Sequence, residues 1–243
     1  DSNMTDPDQD DILQFAKTDR FSEARTLILS EVEGHGLGRV FRDIELPLIP
    51  VVARMEERGI LIDREYLKDL SEEYHRELTS LERAITAEAG IEFNINSPKQ
   101  LGEVLFDRLG LVPKNHKKTA GGARSTRESE LEKLRDAHPI VGRILEHREL
   151  QKLLSTYIDN LPHLTDEGGR VHTTFSQTGT TTGRMSSTNP NLQNIPIKTE
   201  RGRRIRNAFV ASPGFSLVSL DYSQIELRVA AFLSRDEKLT QIF

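Results

Sequence analysis

Apolar residues in the segment 64–89 recur as Leu67, Leu70, Tyr74, Leu78, Leu81 and Ile85, at spacings of 3, 4, 4, 3 and 4. That is one stripe along a helix of about seven turns. Asp63 suits its N-cap, and Gly90 suits the left-handed position just past its end. So long a stripe needs cover, and an antiparallel helix of the same chain is the expected partner. Shorter segments read similarly. Ala24, Leu27, Ile28 and Val32 predict a helix over 21–33, stopped by the glycines of GHGLG. In residues 43–63, Ile44, Leu46, Leu48, Val51, Val52 and Met55 make an apolar face that turns helical after Pro50 and ends at Gly59. Ser97-Pro98-Lys99-Gln100 joins a capping box to a proline in the first turn, and the helix it opens runs to Leu109 before Gly110. Ser125 with Glu128 predicts a second box and a helix to about Ala137, and Pro139 opens a further helix to about Asn160.

Beyond residue 165 the period changes. Asp166-Glu167-Gly168-Gly169 is a turn, and RVHTTFSQT alternates and is rich in β-branched residues, so it reads as a strand. The stretch TGTTTGRMSSTNPNLQNIP has no period and reads as loop. A short basic helix over 202–209 and a turn at Ser212-Pro213-Gly214 follow. FSLVSLD then alternates as a strand ending at Asp221, and a helix runs on to about Leu233. Residues 1–20 are polar and Asp-rich and are expected to fray. The order is helices, then strand, loop, helix, strand, helix. It predicts an α+β fold with a helical subdomain inserted in or appended to a sheet.

Charge changes that picture more by position than by size. The formal net charge of the 243 residues is −5. Five of the 38 acids are Asp within residues 1–11, which hold no Lys or Arg, so the rest is balanced at 33 acids and 33 bases. The acidic pI therefore describes a tail and does not argue against a nucleic-acid partner. Cysteine is absent, which excludes disulfides and thiolate zinc sites. No apolar run reaches the roughly 18 residues of a membrane span, and no signal peptide opens the chain, so an intracellular location is expected.

Four places can carry chemistry. Asp221 ends the expected strand just before a helix, where a carboxylate reaches ligand without disturbing the core and suits Mg²⁺. Glu226 follows about a turn and a half into that helix. The plainer alternative is a capping box of Ser223 with Glu226, with Asp221 biasing the helix dipole. A lone carboxylate is in any case a poor two-metal site. Residues 184–206 hold Arg184, Lys198, Arg201, Arg203, Arg204 and Arg206 against Glu200 alone, beside Asn189, Asn191, Gln193 and Asn194. Such amides and an arginine can donate to minor-groove acceptors while the cations bind phosphate, and the alternative is a solvated basic face. The segment 114–127 carries Lys114, Lys117, Lys118, Arg124 and Arg127 without an acid, suited to phosphate or simply to solvent. Arg148, Lys152 and Ser155 or Thr156 share a helix face, though Glu146 and Glu149 nearby make surface pairing the commoner explanation. The histidines show no ligand spacing.

Together these segments resemble the family A DNA polymerases, the bacterial DNA polymerase I type. DYSQIELR at 221–228 is similar to the family's motif A, TGRMSSTNPNLQNIP at 182–196 to the segment preceding it, and RRIRNAF at 203–209 fits between them. FNINSPKQLGEVLF, KKTAGGARST and HRELQKLLSTYIDNLP resemble its thumb, and DIELPLIPVVARMEERGILID the helix entering its palm. The resemblance implies a mostly helical thumb over 64–164, a palm-entering helix over 43–63, and over 165–243 the first half of an antiparallel-sheet palm. Residues 1–42 would then be an acidic tail and the remnant of a preceding domain.

It also implies roles. Asp221 would bind both catalytic metals, with the Tyr222 carbonyl as a further ligand. Glu226 would act as the steric gate against a ribose 2′-OH, and Gln224, Ile225, Glu226 and Lys198 would meet the incoming nucleotide. Arg184 would contact the primer-terminal pair from the minor groove, while Asn191, Gln193 and Asn194 line the nascent duplex. Lys118, Thr119, Ser125 and Thr126 would touch the primer backbone, and Arg148 and Lys152 would grip DNA at the thumb base. Implied partners are primer-template DNA and dNTP, with two Mg²⁺ once the rest of the enzyme is present, and no membrane; the implied location is the cytoplasm, on the nucleoid. Leu154 departs from members that carry Lys there.

The family's fingers and second catalytic Asp are not in these 243 residues. The expectation is therefore a fragment, or one half of a split polymerase whose other chain brings the fingers and the rest of the palm, inactive alone. The alternative is a non-catalytic module that binds duplex DNA or a partner through a polymerase-like surface.

Overall fold

A computed structural model describes residues 7–111, 122 and 124–243. The helices are α1 (Gln9–Ala16), α2 (Phe21–Gly34), α3 (Gly38–Val40), α4 (Leu46–Arg58), α5 (Arg64–Ala89), α6 (Pro98–Gly102), α7 (Glu128–Leu131), α8 (Pro139–Leu153), α9 (Glu200–Arg206), α10 (Ile225–Ser234) and α11 (Glu237–Ile242). The strands are β1 (Ile60–Ile62), β2 (Arg170–Val171), β3 (Thr174–Ser176), β4 (Ser186–Thr188) and β5 (Phe209–Val210). One sheet has the order β2-β1-β5, and β3 pairs with β4. The fold is α+β, as the pattern predicted. Among the described residues no helix is long and apolar enough to cross a membrane.

The long stripe forms α5 over its expected length. Asp63 caps it by accepting the Tyr66 N–H, and Gly90 ends it at φ 67°. Its partner is α8, extended by a π-helical turn over Leu154–Ile158. The two run antiparallel, because Glu88 pairs with Arg143, Glu82 lies 3.3 Å from His147, and His75 lies 3.1 Å from Asp159. Between them Leu67, Leu70, Tyr74 and Leu78 meet Leu150, Leu153, Leu154 and Tyr157. Farther along, Ile85 and Ala89 meet Leu101, Leu105, Ile140 and Ile144. Each large side chain taken from water there contributes about 1.5–3 kcal/mol.

Four expectations need correction. Residues 9–16 do not fray: Asp8 and Asp11 complete a reciprocal capping box at the start of α1. The palm-entering helix begins well before Pro50, at Gly38, and a wider π-helical turn over Phe41–Glu45 precedes Pro47. That turn lies where an ordinary helix would set a proline ring against the carbonyl four residues back. RVHTTFSQT is two strands, since β2 pairs with β1 (Ile60↔Val171) while β3 pairs with β4 (Phe175↔Ser187). FSLVSLD forms no strand; residues 215–222 take no regular structure and are exposed, with Leu220 91% accessible. A strand needs a hydrogen-bonded neighbour, and among the described residues none pairs with this one.

The capping boxes are half realised. Ser97 accepts the Gln100 N–H, but the Gln100 side chain turns to the Asn94 N–H at 2.7 Å. Ser125 accepts the Arg127 N–H, one step short of the helix that Glu128 opens. The chain divides into two compact units, Asp1–Phe209 and Val210–Phe243.

Candidate functional site

In the first unit an open cleft of about 2070 Å³ brings together two segments distant in sequence. The extended α8 brings Arg148, Lys152, Thr156 and Tyr157; the loop after β4 brings Asn191, Gln193 and Asn194; Arg184 and Lys198 flank that loop. Six of the implied duplex contacts, and Lys198 with them, thus share one hollow. Its wall carries six cations (Arg135, Arg148, Lys152, Arg184, Lys198 and Arg206) and four carboxylates (Glu128, Glu132, Glu146 and Glu149). Three of those carboxylates already face arginines. Arg135 holds Glu132 at 2.9 Å, and Arg201 reaches Glu149 at 3.4 Å and Glu146 at 3.7 Å. The field left for a ligand is positive, which suits a polyanion.

The amide loop is held by its own chemistry. The Asn191 Oδ1 accepts the N–H groups of Gln193 (3.0 Å) and Asn194 (3.2 Å), a local turn of the kind asparagine favours. Gln193 donates from Nε2 to the Met185 carbonyl at 2.9 Å. Tyr157, on the last turn of the α8 extension, donates its hydroxyl to the Asn194 carbonyl at 2.6 Å. Burial pushes the Tyr157 phenol above the usual tyrosine range, so it stays a donor at neutral pH. Sequence reading missed Tyr157, because an aromatic at a helical core spacing reads only as packing.

The basic segment 184–206 divides. Arg204 is bidentate to Glu73 of α5 at 2.6 and 2.7 Å and lies over the Tyr74 ring. Arg201 pairs with Glu77 and also reaches Glu146 and Glu149, and Arg203 pairs with Glu200 at 2.6 Å. Half of the cluster therefore fastens α9 to the helical pair or to itself, so the segment is not a wholly solvated basic face. The acids that partner Arg201 and Arg204 sit more than 50 residues away in sequence, so local charge counting could not find them.

Arg148 borders both this cleft and a second hollow of about 850 Å³ lined by Phe106, Arg124, Ser125, Thr126 and Arg127. It donates to the Thr126 carbonyl, and burial pulls its guanidinium below the usual arginine range. Ser125 and Thr126 are themselves buried. Arg124 lies 4.8 Å over the Phe106 ring and pairs with Asp107. Lys118 and Thr119 lie outside the described residues.

The second unit holds Asp221, Tyr222, Gln224, Ile225 and Glu226. Asp221 lies in irregular chain, exposed, four residues before α10. The expected box of Ser223 with Glu226 does not form as the cap, because Gln224 takes the N-cap at φ 52° without a side-chain bond. Glu226 is in the first turn of α10, where a carboxylate favours the helix dipole. Asp221 and the Tyr222 carbonyl are hard oxygen donors, right in kind for Mg²⁺. Among the described residues no three His, Cys, Asp or Glu side chains gather as a metal-binding set, so these donors are too few for two metals.

Comparison with known proteins matches residues 64–243 to the family described as DNA polymerase family A. The chain is 54% identical over 205 residues to the thermostable DNA polymerase I of Thermus aquaticus, covering 84% of this chain and 24% of that protein. Against the DNA polymerase I of Synechocystis sp. it is 50% identical over 208 residues, 85% of this chain and 21% of the relative. A solved structure, the POL domain of Pol1 from M. smegmatis in complex with DNA primer-template and dNTP, matches with a TM-score of 0.79 at 40% identity, over 89% of this chain and 38% of that one. The chain thus spans about a quarter of the length of the curated relatives it matches.

Proposed function

The chain belongs to DNA polymerase family A, and we propose on that footing that it supplies the duplex grip and the first catalytic carboxylate of a template-directed DNA polymerase acting on the bacterial chromosome. Residues 64–164 are the thumb, 43–63 lead into the palm, and 165–243 are its first half. The observation that carries this is the cleft of the first unit, where Arg148, Lys152, Arg184, Asn191, Gln193 and Asn194 meet in a positive field. Arg148 has given up solvation, and a phosphate arriving beside it offsets that loss by pairing with its guanidinium. The amide loop and Arg184 face the minor groove, and Lys198 takes the triphosphate side. In the second unit Asp221, with the Tyr222 carbonyl, is the metal ligand; Glu226 rejects a 2′-OH, and Gln224 and Ile225 border the nucleotide. Bound Mg²⁺ supplies Lewis-acid polarisation of the phosphoryl oxygens in such enzymes.

The test is direct. The purified protein binds a labelled primer-template hairpin, with affinity falling linearly as log salt rises and a slope of about one per neutralised phosphate. Arg148→Ala and Lys152→Ala each weaken binding and reduce that slope by about one. In Mg²⁺ and dNTPs the protein extends no primer alone, extends one when the remaining length of such a polymerase is supplied, and loses that activity in Asp221→Ala. Binding indifferent to salt would overturn the duplex reading. An active Asp221→Ala complex would remove the metal role, and binding with no activity in any complemented mixture would leave a non-catalytic duplex module.

A further inference from the structure

We propose that a buried hydroxyl pair, Thr173 and Ser187, acts as a positioning device that fixes the backbone of Asn191 and presents its carboxamide NH₂ to the duplex as a donor. The inference rests on the cleft being a duplex site, and it concerns two residues that touch no part of a ligand.

Both hydroxyls are buried, and their oxygens lie 2.7 Å apart. Around them converge the Thr188 carbonyl at 2.9 Å and the Pro190 carbonyl at 2.8 Å from the Thr173 Oγ1, and the Leu192 N–H at 3.1 Å from the Ser187 Oγ. The proton inventory sets the outer directions. A backbone N–H only donates and a carbonyl only accepts. Leu192 therefore donates to Ser187, and the two hydroxyl protons serve the Pro190 and Thr188 carbonyls and the contact between the hydroxyls, the Ser187 Oγ itself lying 3.3 Å from the Pro190 carbonyl. The result is one hydrogen-bonded cluster that joins the Leu192 N–H to the Pro190 and Thr188 carbonyls.

Its consequence lies in which groups it ends on. The Pro190 carbonyl belongs to the peptide before Asn191, and the Leu192 N–H to the peptide after it. Pinning both planes fixes the two soft backbone dihedrals between them, φ and ψ of Asn191, and so the direction of its side chain. The side chain is then oriented by its own turn, because Oδ1 is occupied by the Gln193 and Asn194 N–H groups. What Asn191 offers outward is its NH₂. Minor-groove edges of every base pair present acceptors, N3 or O2, so a fixed donor there checks pair geometry with little regard to sequence. Other small residues cannot replace the pair: an apolar one leaves a buried N–H or carbonyl without a partner.

Hairpin binding and amide hydrogen exchange, measured together on the 243-residue protein, test this. Ser187→Ala is expected to weaken duplex binding about tenfold at every salt with the salt slope unchanged, since no phosphate contact is lost. It is expected to speed exchange at residues 191–194. Ser187→Thr and Thr173→Ser, which keep a hydroxyl, stay within about twofold of the original. The deciding measurement is the cycle with Asn191→Ala, in which Ser187→Ala adds nothing once the amide it positions is gone. An equal further loss in that background would mean that Ser187 acts through general stability, and the proposal falls. Unchanged binding and exchange in Ser187→Ala would also overturn it. If the original protein binds no duplex, the duplex reading fails, while exchange alone still decides whether the hydroxyls hold the loop.

Discussion

The helical pair α5–α8 and the segment 215–222 carry apolar patterns of similar regularity, and they end in opposite conditions. Leu67, Ile85, Ile144 and Leu150 are wholly buried. Phe215, Val218 and Leu220 are 77–91% accessible. Hydrophobicity does not separate the two regions; the way the backbone is satisfied does. A helix closes its hydrogen bonds within itself and needs a partner only for its apolar face. α5 finds that partner 50 to 90 residues on in the same chain, as Glu88–Arg143 and His75–Asp159 show. An extended segment needs a neighbour for its backbone as well as its side chains. Residues 215–222 have neither among the described residues, and so an alternating pattern remains a pattern without becoming a strand.

The sharpest way to break this contrast is to truncate one residue on each side. Leu150→Ala, in the α5–α8 seam, is expected to cost about 2–5 kcal/mol in a urea melt, because it opens a cavity in a packed core. Leu220→Ala is expected to cost less than about 0.5 kcal/mol, as for an exposed side chain. Equal costs would show that the second segment is packed in solution, and the contrast drawn here would be lost.

That contrast also explains what could be read from sequence. The span of α5, its Asp63 cap and its Gly90 stop were legible because spacing, cap and stop are all local. Gly59 ends its helix for the same reason, at φ 59°. The split of RVHTTFSQT was not legible, since it depends on which strand each half meets, and β1 and β4 lie on either side of it in sequence. For the candidate site, the residue types of the amide loop and of α8 could be read, and so could their helix-face spacing. Their convergence on one cleft could not, and neither could the Arg201 and Arg204 pairings, because both are long-range facts. The hydroxyls of Thr173 and Ser187 looked like ordinary strand residues; only the groups that converge on them distinguish them.

A middle-sized effect is expected where the two halves of the first unit are stitched together. Arg201 is three-quarters shielded and answers Glu77, Glu146 and Glu149. Removing it leaves three carboxylates facing one another, so Arg201→Ala should cost about 1–3 kcal/mol, below the value for a fully buried pair because solvent still screens the group. Arg201→Lys should recover only part of the loss, since one ammonium cannot serve three carboxylates in the plane a guanidinium does. Adding salt should lower the stability of the original protein more than that of Arg201→Ala. A variant as stable as the original would show that the carboxylates separate freely and that α9 is held by its other contacts, Ile205 in the core and Arg204 on Glu73.

The smallest expected effect tests the contact His172 makes with α4 and with the turn before β2. His172 holds the Glu56 carbonyl at 2.7 Å and Asp166 at 3.1 Å, and these contacts, the backbone one foremost, raise its pKa above the usual histidine value. Asp166 is lowered, first by the Arg170 N–H and then by His172. A raised histidine contributes stability that is complete below the unfolded pKa near 6.5 and is lost as pH climbs through the higher folded value. A lowered carboxylate contributes above about pH 4 and is lost as pH falls through its folded value. Both contributions are present between about pH 4 and 6.5, so Tm should fall slightly as pH rises above that window and again as it drops below. His172→Gln should flatten the upper limb while leaving most of the lower one, because the Arg170 N–H still holds Asp166. Both groups are substantially exposed, so the limbs are shallow. An upper limb that persists unchanged in His172→Gln would assign it to another group and leave the contact between α4 and the turn without a titrating member.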